Sequence, residues 1–300
     1  MRRFRPSSCS RPASLLREPS APSPRQRSSS HWASLRSLLV INPRSGEGER
    51  ARDIEAAART RGIGVHLLAQ GEDAREVALR ADADVLAAAG GDGSLGAVAG
   101  AAIERDLPFV IVPLGTRNHF ARDLGLDPGD PVAALDAFDG VEQRVDVGRV
   151  GDRLFLNNVA LGLYARLVHR RERHRRRRVA LASLRALLLI ARERGRQQHL
   201  SIDGRDVVAP VVLVASNAYE LDLFNVGERM HLDDGLLHLY IAHGWLPRSW
   251  EERSAPRFEV DAPRSRLQAA VDGEPVVLET PLDFSLDRQT LRVLVPAPPD

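Results

Sequence analysis

In 300 residues, 42 basic side chains nearly balance 40 acidic ones, for a formal charge of +2, and every base is arginine. The lack of lysine excludes Schiff-base chemistry and the lysine of a Walker-type loop, so phosphate charge would have to be met by arginine, a metal ion or backbone N–H groups. A hydrophobic share of 43% with 27% charged residues is that of a soluble globular chain. No apolar run has the length of a membrane span.

Residues 1–34 are rich in Ser, Pro and Arg and cannot bury enough apolar surface to offset the entropy of ordering, so they read as a disordered tail or an over-long start. Cys9, the single cysteine, lies in this tail; without an internal disulfide a reducing, cytoplasmic compartment is expected. Order begins at Leu35. Leu38–Ile41 is a short apolar run ended by Asn42-Pro43 and predicts a buried strand. A helix is expected over Glu47–Arg61, stopped by Gly62. Then come a strand at Val65–Leu68, a short helix at Ala74–Arg80 and a strand at Asp84–Ala89 that runs into glycines. A helix over Ser94–Arg105, a strand at Phe109–Val112, and helices over Arg117–Leu124 and Val132–Phe138 complete the pattern. Strands alternating with helices predict an α/β domain with a parallel sheet covered on both faces.

After about Val145 the texture changes to short strand-like runs: Leu154–Val159, Leu200–Ile202, Val207–Val214, Leu236–Ala242, Phe258–Val260, Leu267–Val271, Val276–Leu278 and Leu291–Val295. One long helical stretch, Val179–Arg194, interrupts them. This predicts a mainly antiparallel second domain.

Ligands of an open α/β sheet bind at the carboxyl ends of its strands, and three loops leave such ends. In Gly90-Gly91-Asp92-Gly93-Ser94 the glycines permit close backbone approach, and Ser94 is placed to cap the helix that follows. The free N–H groups of a helix start suit phosphate. A carboxylate there is repelled by phosphate, so Asp92 implies a bridging Mg²⁺. In Pro113–Asn118, Gly115 permits close approach, Thr116 and Asn118 offer hydrogen bonds, and Arg117 or Arg122 supplies a cation. In Asn42–Gly46, Asn42 offers an amide for an adenine or ribose edge, with Ser45 and the Gly46 backbone beside it. A plain turn remains the alternative reading of each loop.

Asn-Pro-x-Ser-Gly at 42–46, Gly-Gly-Asp-Gly-Ser at 90–94 and Pro-Leu-Gly-Thr-x-Asn-x-Phe-Ala-Arg at 113–122 resemble, in order and spacing, the diacylglycerol kinase catalytic domain and its bacterial lipid kinases. The resemblance runs from about Leu35 to Pro296. It implies a phosphofructokinase/NAD-kinase-like α/β domain over residues 35–145 plus about 285–300, and a β-sandwich lipid-substrate domain over 146–284. ATP would lie in the cleft between them, with Mg²⁺. It further implies that Glu274, in Val271-Asp272-Gly273-Glu274, is the general base and acts with Asp92. Asp234 and Leu236, in the Asp-Gly-x-Leu segment, would hold a structural Mg²⁺, and Asp146 would join the hydrogen-bond network near the site. Spacing alone reads Glu274 as a hairpin turn residue, because Asp-Gly is a turn signal. Two positions depart from the family pattern. His119 stands where aspartate is frequent and reads as a packing residue or a weak proton carrier; Ser94 stands where threonine is common.

Eight arginines and one glutamate lie in Arg166–Arg178, beside a helical stretch with Leu181, Leu184, Leu187, Leu188 and Ala191 on one broad face. With a lipid substrate this reads as docking on an anionic membrane surface, peripheral and without nucleic acid; a solvated charge run is the bland alternative. A homodimer is compatible with the sequence. A soluble-substrate kinase and a non-catalytic lipid-binding regulator of the same fold are the competing functional readings.

Overall fold

The structure, a computed structural model, describes residues 35–45, 48–115, 118–162, 197–219, 221–222, 225–226, 229–243 and 250–298. The tail 1–34, the arginine cluster 166–178 and the helix expected over 179–194 lie outside them.

In chain order the first part is β1 (Ser37–Ile41), α1 (Gly48–Thr60), β2 (Gly64–Leu67), α2 (Ala74–Arg80), β3 (Val85–Gly90), α3 (Asp92–Glu104), β4 (Phe109–Pro113), α4 (His119–Asp123) and a 3₁₀ segment (Ala133–Asp139). The strands are parallel in the order β2-β1-β3-β4. β3 is buried along its whole length. Its Leu86 and Ala88 meet α2 and α3 on one face, while Val85, Ala87 and Ala89 meet α1 and the 3₁₀ segment on the other. Burial on both faces is why this strand reads as an unbroken apolar run. α2 starts where the Asp73 carboxylate accepts the Arg75 N–H at 2.8 Å. α1 ends before Gly62, whose φ of 75° suits a glycine.

The second part is β5 (Val141–Val150), β6 (Arg153–Phe155), β7 (Asn158–Gly162), β8 (Gln198–Ile202), β9 (Arg205–Ala209), β10 (Val211–Ser216), β11 (Leu221–Asp222), β12 (Asn225–Val226), β13 (Leu237–Ala242), β14 (Trp250–Ala255), β15 (Arg257–Asp261), β16 (Arg266–Val271), β17 (Glu274–Glu279) and β18 (Leu282–Val295). An antiparallel six-stranded sheet, β14-β13-β10-β7-β16-β17, packs across a core of Phe155, Leu161, Val214, Leu239, Phe258 and Phe284 onto β5, β15, β8 and β9. The chain is therefore a parallel α/β sheet joined to an antiparallel sandwich. β18 makes the joint: Val293 and Leu294 pair in parallel with Phe109 and Val110 of β4, while Phe284 pairs with Phe258 of β15.

Two expected strands are each two strands. Val207–Val214 breaks at Pro210, which has no N–H for a ladder, and β9 and β10 enter different sheets. Leu154–Val159 breaks at Leu156-Asn157, with no proline, and β6 and β7 likewise enter different sheets. β5 is a long strand where only a change of texture was legible. β14, Trp-Glu-Glu-Arg-Ser-Ala, is too polar to stand out; among the described residues it is an edge strand paired to β13. The last strand begins at Leu282, well before Leu291.

Candidate active site

Parallel pairing brings the ends of β1, β3 and β4 to one edge, and hydrogen bonds tie the three loops together there. Asn42 Nδ2 donates to Ser94 Oγ at 2.9 Å, and Asn42 Oδ1 accepts the Arg44 N–H at 3.1 Å. The Gly115 N–H reaches the Gly90 carbonyl at 3.1 Å. Buried Asn118, at φ 47°, closes its own loop: Oδ1 accepts from Gly115 N at 2.9 Å, and Nδ2 donates to Gly115 O at 2.7 Å. A Cβ on Gly115 would stand 2.7 Å from the Gly91 Cα, so only glycine lets these backbones touch. Ser45 Oγ sits 3.9 Å from where a Gly91 Cβ would be. Gly46, Thr116 and Arg117 lie outside the described residues.

Four expectations change here. α3 begins at Asp92 with Gly91 as its cap, so Ser94 lies inside the helix, and its hydroxyl holds Asn42 instead of capping. Asn42 and Asn118 each spend amide groups on fastening the loops. Asp92 is buried in the first turn of α3, where the helix dipole favours a carboxylate. Its presence there therefore does not by itself require a metal. His119 is exposed at the first residue of α4 and does not pack into the core.

Glu274 arrives from the other sheet. β16 and β17 are joined by the two-residue turn Asp272-Gly273, with φ of 47° and 78°, which the pair Val271 and Glu274 closes. This is the hairpin geometry that Asp-Gly favours. The hairpin lays the Glu274 carboxylate directly on Gly93; a Cβ at Gly93 would fall within it. The turn reading and the reading of Glu274 as a site residue thus describe one hairpin. Asp92, Gly93, Gly96, Leu154, Asp272 and Glu274 share a cleft of about 520 Å³.

Asp272 anchors the turn. Its Oδ2 accepts the Leu156 N–H at 2.8 Å, and its Oδ1 accepts the N–H of Asn157 at 2.7 Å and of Asn158 at 3.1 Å. Burial pushes this carboxyl up to about 6, against the opposing pull of the three amides and Arg229.

Asp146 and Asp234 form a second cluster. Buried Asp146 accepts from Gly235 N at 2.8 Å and from Gln289 N, at the irregularity of β18, at 2.7 Å. Burial raises its pKa, and the charges of Asp234 and Asp233 add to the rise. Asp234 accepts from Leu236 N, Ala218 N and His238. The Leu236 carbonyl takes the Asn217 N–H, and the Arg288 guanidinium lies against Gly235. Protein donors already engage the oxygens expected to hold a structural Mg²⁺, a cation group stands beside them, and no cluster of three or more His, Cys, Asp or Glu suited to a metal occurs among the described residues. This turn does not fit a metal as it stands; it serves to position β13 against β5 and β18.

The diacylglycerol kinase catalytic domain matches residues 36–150. The chain is 38% identical over 129 residues to a probable lipid kinase YegS-like protein of Pseudomonas fluorescens, covering 41% of this chain and 43% of the relative. It is 32% identical over 138 residues to a diacylglycerol kinase of Staphylococcus aureus, covering 42% and 44%. The aligned stretch therefore spans less than half the length of these relatives. The structure of a diacylglycerol kinase from Bacillus anthracis str. Sterne superimposes with a TM-score of 0.61 at 17% identity, covering 87% of this chain and 97% of that one. At that identity it shows a common fold across both sheets. The matched family domain contains all three loops and Asp146; Glu274 and Asp272 lie outside it.

Sequence reasoning did not single out Asp272 as an anchor, or Asp123, Asn157, Asn158 and Arg229. The Asp-Gly dipeptide signalled the turn but not the three amides that its aspartate collects. No local pattern marks Arg229.

Proposed function

We propose that the chain is a lipid kinase that transfers the γ-phosphate of MgATP to a lipid hydroxyl. The observation that carries this reading is the Glu274 carboxylate lying on Gly93, which joins the family's phosphate-loop motif to a base from the second sheet. Loops 90–94 and 113–118 offer glycine backbone and the start of α3 to the phosphates. The acceptor occupies the cleft bounded by α3, the β5–β6 hairpin around Leu154 and the β16–β17 hairpin. As its oxygen bonds to the γ-phosphorus and the bond to the β-bridging oxygen breaks, Glu274 takes the hydroxyl proton and ADP leaves. Asp92 borders the same cleft, and its carboxylate would hold the Mg²⁺ of MgATP, which would offset phosphate charge there while Glu274 stays free to take the proton. The direct test is Mg²⁺-dependent transfer of labelled phosphate from ATP to a panel of diacylglycerol, other glycerolipids and long-chain bases, with Asp92→Ala as a control. Full activity in that variant, or no transfer to any lipid, would refute the reading.

Gly93→Ala tests the contact itself. Its methyl group displaces the Glu274 carboxylate, so the variant is expected to lose transfer by about 10²-fold or more. Combining it with Glu274→Ala is expected to add little, because both remove the same interaction. Additive losses would disprove the pairing of Gly93 with Glu274.

For access to a lipid we propose peripheral docking. No described helix is long and apolar enough to cross a membrane. The support for docking is the arginine-rich sequence 166–178 and the leucine-rich stretch after it. Sedimentation with vesicles is expected to rise with their anionic lipid content and to fall with salt. Equal binding to neutral and anionic vesicles would discard this reading.

A further inference from the structure

Arg229 is 3% exposed, a rare situation for a guanidinium, and it is the most heavily hydrogen-bonded side chain in the hydrogen-bond network around Asp272. Its Nε donates to Asp123 Oδ2 at 2.8 Å, and its Nη2 stands 2.6 Å from the same oxygen. Its backbone N–H donates to Asp123 Oδ1 at 3.0 Å. Nη1 donates to the Leu156 carbonyl at 2.8 Å and to the carbonyl and hydroxyl of Ser216, each at 2.9 Å; Nη2 also donates to Asn157 Oδ1 at 2.9 Å. The rings of Phe120 and Tyr219 lie 5.7 and 5.5 Å from its central carbon. Apart from Ser216, whose hydroxyl itself donates to the Leu156 carbonyl at 2.9 Å, its polar contacts converge on two places. One is α4, which directly follows the Gly115–Asn118 loop and carries Phe120 and Asp123. The other is the 156–158 segment, whose amides hold Asp272 and thereby the turn that presents Glu274.

We propose that Arg229 is a positioning residue that couples the phosphate loops to the Glu274 turn. The coupling rests on the kinase reading above for its consequence, though not for its geometry. A shift of Gly115 on nucleotide binding would pass through its hydrogen bonds to Asn118 into α4, through Asp123 to Arg229, and from its guanidinium to Leu156 and Asn157. These residues in turn hold Asp272. From Asp123 onward each step is a charged or multiply hydrogen-bonded contact, largely buried, where displacing one partner leaves the other unsatisfied. A planar fork of donors is needed to reach Asp123, Ser216, Leu156 and Asn157 at once. Lysine keeps the charge but has no such fork.

The test is amide hydrogen exchange at residues 156–158 with and without MgADP, together with steady-state kinetics, in the full chain and in Arg229→Lys. In the unaltered protein MgADP is expected to slow exchange at these amides, although the proposed phosphate loops lie across the cleft. In Arg229→Lys that slowing is lost. MgADP affinity and KM for ATP stay within about threefold, while kcat falls by about tenfold or more. A side chain that served stability alone would lower the melting temperature without separating kcat from KM or abolishing the nucleotide response. Should Arg229→Lys not fold, Asp123→Asn keeps the shape of the acceptor, removes its charge and carries the same comparison. The proposal is overturned if MgADP binds the unaltered protein without slowing exchange at 156–158, or if the folded variant keeps that response. Phosphoryl transfer without coupling would sink the role of Arg229 and leave the kinase reading intact. Coupling without transfer to any lipid would do the reverse.

Discussion

Replacing Glu274 with glutamine is expected to lower kcat for transfer to a lipid hydroxyl by roughly 10²–10⁴-fold, the range that a positioned general base contributes. Glutamine is nearly isosteric, so the close contact with Gly93 survives and only the ability to take a proton is lost. KM for ATP should therefore change by no more than about threefold, since phosphate binding is assigned to the loops of the first sheet. The pH profile adds a second readout. If Glu274 is the base, the acid limb of kcat disappears in the variant while the remaining slow rate becomes flat. Labelled-phosphate assays across pH, on both proteins and one lipid, decide the matter. Unchanged kcat would remove Glu274 from the chemistry; a loss confined to KM would make it a binding group instead.

The largest stability effect is expected at Asp272. Asp272→Ala strands three backbone N–H groups, of Leu156, Asn157 and Asn158, which the carboxylate now satisfies. Each unsatisfied buried donor costs about 1–3 kcal/mol. Against this, the wild-type carboxylate is ionised in a buried place: its pKa is pushed from 3.8 to about 6. That burden is on the order of 3 kcal/mol at neutral pH and disappears with the side chain. The difference leaves a net loss of roughly 3 kcal/mol, which for a chain of this size lowers Tm by about 6–12 °C.

The ionisation has a definite sign with pH. Below the unfolded value of 3.8 both states are protonated. Between 3.8 and about 6 the folded protein keeps a proton that the unfolded chain has released, so this residue's contribution to stability falls as pH rises through that window and is level above it. Asp272→Asn cannot ionise, so its Tm should decline less than that of the wild type between about pH 4 and pH 6. Asparagine also turns one N–H₂ toward an amide donor, so it should be less stable than the wild type at every pH. Thermal melts of the three proteins across this range test both points. Equal Tm in Asp272→Ala and the wild type would show that the 156–158 amides find other partners.

The N-terminal half was legible because its signals are local. Leu38–Ile41, Asp84–Ala89 and Phe109–Val112 are short apolar runs, each followed by a turn and a helical pattern, and that alternation implies parallel strands whose ends share one edge. The bounds failed where a tertiary contact decided them. α3 begins at Asp92 because Gly91 caps it by backbone geometry, and Ser94 is drawn to Asn42. In the C-terminal half, period-two runs marked most strands but not their sheets. Pro210 could have split Val207–Val214, whereas nothing local splits Leu154–Val159; that break exists because Asp272 gathers the amides of 156–158.

The sequence by itself determined that any phosphate chemistry must run without lysine, and that three glycine-bearing loops lie at the carboxyl edge of a parallel sheet. Those conclusions need only composition and short-range periodicity. Only the tertiary structure decided that Glu274 rests on Gly93, that Arg229 joins α4 to the Asp272 anchor, and that β18 runs from the sandwich, through an irregularity near Gln289, to β4. These contacts join residues far apart in the chain. They depend on strand register and on how two sheets meet, which the burial of whole faces selects and no short stretch of residues encodes.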